Sequence, residues 1–261
     1  MTAAPVTGVR RLRPPSALPA ALTALAVLVA WEVVVRVLAI RPILLPAPSA
    51  IAATFVADVP RLVRALVVTG RAALLGFVLG SLGGFAVGAA ATRWRVLREG
   101  LIPVGVVFGA VPIVATAPIF NLWLGALSIW SNVAVVALVV FFPMMINTIT
   151  GLASASDSHR ELMRSYAAPQ RQVFAKLLLP ASLPFVFGAL RVSAALSVIA
   201  AVVSDFFGGF RDSAGFFIKT LMANADYTGS WATVVALCLF GLLLYGAVAL
   251  AERWSVPWKE Q

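Results

Sequence analysis

Long apolar runs recur along this chain, and they limit its fold more than any other feature. They fall at about 18–38, 66–91, 101–124, 132–149, 185–203 and 231–251. Each is close to the roughly 20 residues that an α-helix needs to cross a hydrocarbon core. Peptide groups find no water in lipid, so a spanning segment must satisfy its hydrogen bonds within a helix or a closed barrel. Runs this long and this continuous predict helices. Charged residues make up 11% of the chain, against about 25% in a soluble domain. The sequence therefore predicts an all-α membrane protein with six transmembrane helices.

The charges between the runs suggest an orientation. There are 20 Lys and Arg against 10 Asp and Glu, a net charge of +10. The cations are scattered rather than gathered into one basic face, which argues against nucleic acid and for the cytoplasmic bias of Lys and Arg around membrane spans. Residues 1–15, with Arg10, Arg11 and Arg13, read as a disordered cytoplasmic tail, and 16–261 as a single membrane domain with both termini cytoplasmic. The tryptophans at 31, 94, 123, 130, 231, 254 and 258 fall mostly near span ends, as interfacial anchors do. Cys238 is the only cysteine and reads as a small buried hydrophobe. His159 is the only histidine, so no metal set and no His-based triad can be assembled. None of Lys176, Lys219 and Lys259 follows the glycine pattern of a phosphate-binding loop. The chain has no ATP site of that kind and reads as a non-enzyme.

Within the runs, several features predict local structure. Glu32 and Arg36 are one helical turn apart and are expected to pair. RPILLPAPSA predicts an extended link, followed by a surface helix over Ile51–Val63. Gly76, Gly80, Gly84 and Gly88 form a stripe along the second span that invites a close helix neighbour. Pro112 and Pro118 should kink the third span, and Pro143 should interrupt the fourth. Arg191 falls inside the fifth span and needs a partner or a water-filled cavity. Polar residues within spans are candidates for a solute path or gate: Thr116, Asn121, Asn132, Asn147, Ser193, Ser197 and Ser204. Asp205, at the outer end of the fifth span, is expected to gate the outer mouth or to dock a partner.

One polar interruption stands apart, HRELMRSYAAPQRQVFAKLLLP at His159–Pro180. Leu162, Met163, Tyr166 and Ala167 share one helical face, as do Val173, Phe174, Leu177 and Leu178. Ser158 and Glu161 have the spacing of a capping box. Pro169 suits the first position of a second short helix, and Pro180 is expected to close it. Two short amphipathic helices at an angle make a docking platform. Leu162 and Leu177 are expected to cover the span ends, with Met163, Tyr166 and Phe174 facing a partner.

This segment resembles the EAA loop of ATP-binding-cassette (ABC) importer permeases. Glu161 stands at the leading acid, Ala167 at the usual glycine, and Leu179–Pro180 at the closing pair. VPIVATAPIFNLWLG (Val111–Gly125) and SDFFGG (Ser204–Gly209) are similar to the nitrate, sulfonate and taurine branch, and ELMRSYAA to permeases for thiamine-precursor pyrimidines. The likeness runs from about Leu45 to Trp258. Alanine replaces glycine at 167, which is tolerable if the backbone there stays helical. Leu162 and Met163 replace the usual alanines.

The resemblance implies the type I importer architecture, with a cytoplasmic coupling loop over 152–182. Its coupling residues would be Ser158, Glu161, Met163, Ser165, Tyr166, Ala167, Pro169, Phe174 and Pro180. It implies a cytoplasmic ABC ATPase dimer that binds the ATP and Mg, a second permease subunit in a homodimer, and a periplasmic or lipid-anchored solute-binding protein. It places the chain in a bacterial inner membrane, moving a pyrimidine or related heterocycle, or a sulfonate, taurine or nitrate. No cofactor is expected in the chain itself. An ATP-independent secondary transporter or channel is the competing reading, although the chain has no second copy of the platform and no mid-membrane carboxylate pair.

Overall fold

The computed structural model describes residues 17–257, so the expected N-terminal tail and Trp258 lie outside the described residues. In chain order the helices are α1 (Ala17–Val37), α2 (Pro48–Ala57), α3 (Val59–Ala91), α4 (Arg95–Gly109), α5 (Ile113–Leu124) and α6 (Ile129–Ala153). There follow α7 (Asp157–Ser165), α8 (Gln170–Val173), a π-helical turn (Phe174–Leu178), α9 (Leu179–Gly208), α10 (Ala214–Ala223) and α11 (Tyr227–Ser255). Five helical stretches are long and apolar enough to span a membrane, and α4 with α5 make a sixth only if that bent pair counts as one.

Three spans form the interior, and glycine brings two of them together. Gly76, Gly80, Gly84 and Gly88 of α3 lie directly on α6. A Cβ at Gly80 would come within 2.5 Å of the Ala137 carbonyl oxygen, and one at Gly88 within 2.8 Å of the Thr148 Cβ. Lipid tails are as apolar as side chains, so this close van der Waals contact, rather than escape from water, drives the pairing. α9 closes the third side, and Ala73, Val136, Val140, Ala194 and Ala201 meet in the shared core. In contrast, the spanning window of α1 is 6% buried, against 44% for α3, α6 and α9.

Polar contacts pin the outer helices. Glu32 accepts from Arg36 Nε at 2.6 Å, as the spacing predicts, and also from the Ser49 hydroxyl at 2.7 Å, which ties α1 to the start of α2. Arg191 meets Glu252 at 3.3 Å and joins α9 to α11.

Several expectations need correction. The surface helix ends at Ala57, because Pro60 sits in the first turn of a new helix and residues 59–63 belong to α3. The third span is two helices meeting at 93°. Pro112 holds the extended backbone (ψ 121°) that starts the second of them, while Pro118 and Pro143 leave their helices unbroken. The fourth span is therefore continuous. Between α9 and α11 lies the short helix α10. Cys238 is exposed on the apolar outer surface of α11 rather than buried.

The α3–α6 contact separates two neighbouring glycines. Gly80→Ala forces a methyl into the α6 backbone, and thermal unfolding in detergent should show a loss of about 1–3 kcal/mol. Gly83→Ala places its methyl 3.4 Å from the Phe141 ring edge and should unfold within about 0.5 kcal/mol of the native chain.

Candidate functional site

The polar interruption folds as a bent lever on the end of the bundle. α7 begins one turn after α6 ends, and its cap is Ser156, whose Oγ accepts from the His159 N–H. The capping box at Ser158 and Glu161 does not form. Ser156 has the extended backbone a cap needs, and Asp157 then falls in the first turn, where a carboxylate suits the helix dipole. Ser158 lies exposed in the first turn, and the Glu161 side chain is exposed, with no hydrogen bond or ion pair among the described residues. Arg160 turns the other way. Its guanidinium donates to the carbonyls of Ala155 and Leu152, both at 3.2 Å, and fastens α7 to the C-terminal end of α6. Cations favour that end of a helix.

α7 stops in a Schellman turn. The Ala168 N–H reaches the Met163 carbonyl at 3.0 Å, and the Ala167 N–H reaches that of Arg164 at 2.9 Å. Ala167 carries φ +49°, the left-handed region. The condition on which alanine was tolerable at 167, a helical backbone, is therefore not met, and the alanine stands where glycine would be unstrained. Pro169 caps α8 from outside rather than opening it.

The second arm has no end of its own. α8, the π turn and α9 run as one helix from Gln170 to Gly208, 39 residues. Pro180 sits at the start of α9 and closes nothing. The wider π turn just before it changes the hydrogen-bond register where the proline has no N–H to give. The base of this arm is pressed against α6, where a Cβ on Gly151 would come within 2.9 Å of the Phe185 Cβ.

The outward face differs from the expected one. Leu162 is 52% and Tyr166 76% exposed, one turn apart and next to Glu161. Met163 and Phe174 are half-buried against the protein. Leu162 therefore faces outward and does not cover the span ends. The hydroxyl of Ser165 donates to the Leu162 carbonyl at 2.8 Å and stays local.

The path candidates divide into two groups. Asn147 donates to the Pro143 carbonyl, Ser197 to that of Ala194, and Thr116 to that of Ile113, at 2.8–2.9 Å, all within their own helices. Thr116 also lines a cavity of about 320 Å³ at the α4–α5 break, with Phe108, Pro112 and Pro143. Ser193 is buried without a partner among the described residues, and so is the Asn121 amide nitrogen. The other group forms a network. Asp205 accepts from Thr69 Oγ1 and from Asn132 Nδ2, both at 2.6 Å, and the Ser204 hydroxyl donates to Asn132 Oδ1 at 2.7 Å. The Ala214 N–H donates to Thr69 at 2.8 Å. Asp205 is 2% exposed, so it clasps α3, α6, α9 and α10 instead of standing at an outer mouth. Thr69 gave no sequence signal beyond a hydroxyl within an apolar run.

At the same end, remote from the lever along α9, Arg61, Arg64, Arg211 and Asp212 line a cavity of about 390 Å³. No group of three or more His, Cys, Asp or Glu side chains able to hold a metal ion occurs among the described residues.

Residues 73–256, which include the lever, its arm and Asp205, match the family described as "Binding-protein-dependent transport system inner membrane component". The chain belongs to that family. This permease is 36% identical over 63% of its length to the formylaminopyrimidine transport permease ThiX of Halalkalibacterium halodurans, and the match spans 65% of that relative. It is 31% identical over 91% of its length to the riboflavin transport permease RibX of Chloroflexus aurantiacus, spanning 88% of it. With the putative aliphatic sulfonates permease SsuC of Bacillus subtilis it shares 28% identity, over 88% of this chain and 83% of the relative. The permease superimposes on the MetNI methionine ABC transporter with a TM-score of 0.63 at 17% identity, covering 76% of this chain and 97% of that one. It also superimposes on an amino acid ABC transporter with a TM-score of 0.60 at 15% identity, covering 76% and 95%. The chain is a multi-pass ABC importer permease subunit rather than an enzyme, and ATP hydrolysis is the work of a separate partner.

The left-handed alanine gives a direct test of the lever. Ala167→Gly relieves about 1 kcal/mol of backbone strain, so hydrogen exchange across residues 157–170 should slow. Ala167→Val adds a β-branched residue in the same region and should speed exchange there, while the α6 amides keep their protection.

Proposed function

We propose that this permease imports a small heterocycle of the thiamine-precursor pyrimidine type, delivered by a solute-binding protein at the end that carries the Asp205 clasp. Two copies pair around the path, and an ABC ATPase dimer that binds the ATP and Mg engages residues 157–180 from the cytoplasm. The membrane is a bacterial inner membrane, and both termini are cytoplasmic. The observation that carries this reading is the continuity of the lever with the fifth span. A force on the exposed Glu161, Leu162 and Tyr166 enters through α7, whose Schellman turn passes it to α8. From there one unbroken helix conveys it to the clasp around Asp205. Closure of the ATPase would thus rock packed helices as rigid bodies. Ser158, Met163, Ser165, Ala167, Pro169, Phe174 and Pro180 set the lever's shape. Thr116, Asn121, Asn147, Ser193 and Ser197 lie on spans that move with it.

The heterocycle is supported by similarity to permeases named for formylaminopyrimidine and riboflavin. A second reading, an anionic solute, is favoured by Arg61, Arg64 and Arg211 around the cavity at the clasp end and by 27% identity over 70% of this chain to the nitrate permease NrtB of Synechocystis.

Glu161→Lys places a cation where an exposed carboxylate now stands. Pull-down of the permease from membranes should then recover at least about tenfold less ATPase, with the bundle's melting unchanged. Full ATPase recovery by this variant would remove Glu161 from the interface.

A further inference from the structure

A cavity of about 440 Å³ opens beside the lever, where the turn after α3 meets the first turns of α8. Arg93 and Trp94 line one wall, Gln170 and Arg171 the other, and Phe174 and Leu178 the base. Both arginines are exposed, and neither guanidinium has a hydrogen-bond or ion-pair partner among the described residues. Among the described residues, no carboxylate lines the cavity. Trp94 is 60% exposed three residues beyond the end of a spanning helix, which sets this level at the membrane surface, where tryptophan anchors.

From this we infer that the cavity binds the headgroup of an anionic phospholipid, held between the lever and the third helix. Two guanidinium groups at the mouth match a phosphate diester, which takes paired N–H donors. The apolar base receives the glycerol and the first methylenes of the acyl chains. An acidic protein loop would satisfy the arginines but leave Phe174 and Leu178 facing a polar partner, and it would have to enter at the depth of the lipid headgroups. Choline headgroups are disfavoured because the cavity offers two cations and no anion to meet theirs. A lipid bound here bridges the end of α3 to the start of the long α8–α9 helix, so it braces the lever against the bundle. The inference rests on the membrane placement of the chain and on none of the assignments of solute or ATPase contact.

The test uses the full-length permease alone, in detergent, titrated with phosphatidylglycerol or phosphatidylcholine and read by native mass spectrometry. The native chain should retain phosphatidylglycerol in preference. Arg93→Gln and Arg171→Gln should each weaken that retention about fivefold, and the double variant about twenty-five-fold. Lys219→Gln, on the exposed surface of α10, should leave it unchanged. Melting of the double variant in lipid-free detergent should match the native chain, so that lost retention is not lost folding. Equal retention by the native chain and the double variant overturns the inference, and so does equal retention of phosphatidylcholine. It is also overturned if the double variant keeps its lipid but no longer recovers the ATPase, which would assign the arginines to a protein surface. Because no ATPase or solute enters the lipid titration, its failure would leave the transport reading standing.

Discussion

A peptide group in hydrocarbon has no water to bond, and that constraint shapes this permease from end to end. Spans stay helical through Pro118 and Pro143 because the cost of a missing N–H is smaller than the cost of unravelling the turn in lipid. The Asn147 amide adds a hydrogen bond to the Pro143 carbonyl. Where the chain does break, at residues 110–112, the break lines a cavity shared with Leu138, Val139 and Pro143 of α6. The buried carboxylate follows the same rule. Asp205 is tolerable at 2% exposure because Thr69 and Asn132 both donate to it, and the price is that α3, α6 and α9 cannot separate there.

With no hydrophobic effect to press helices together inside lipid, shape must do so, and the glycine stripe of α3 supplies it. The backbones of α3 and α6 touch, so the two helices act as one rigid wall. α9 lies against that wall and continues past it into the lever. The π turn at Phe174–Leu178 is the one place where this long helix changes register. Arg160 and Gly151 hold the lever's two arms to the end of α6. The arrangement suits a part that transmits displacement: stiff along α9, fastened at one end by Asp205, and open to a partner at the other through Glu161, Leu162 and Tyr166.

Features fixed by local chemistry or by long periodicity were legible in the sequence. Five of the six apolar runs foretold spans, while the third folded as the bent pair α4–α5; the four-residue glycine spacing foretold a close helix neighbour, and Glu32 and Arg36 paired as their spacing required. Errors arose where the outcome depends on competition among neighbours. Ser156 and Ser158 both precede a helix, and only the backbone angles decide which one caps it. Pro180 looks like a terminator, yet a π turn absorbs it. Asp205 looked like an outer gate, because nothing in SDFFGG says that Thr69, 136 residues earlier, donates to it. Leu162 and Met163 exchanged roles because a one-residue rotation of a short helix moves a side chain by 100°, more than a repeat of two turns can fix.

The central claim is that the lever faces the cytoplasm and meets the motor. Leu162→Cys in a Cys238→Ala background places one thiol on its exposed outward face. In sealed membrane vesicles, a membrane-impermeant maleimide should label that thiol only in the inside-out orientation, and bound ATPase should protect it. Labelling in right-side-out vesicles, or labelling that the ATPase does not diminish, would contradict the account.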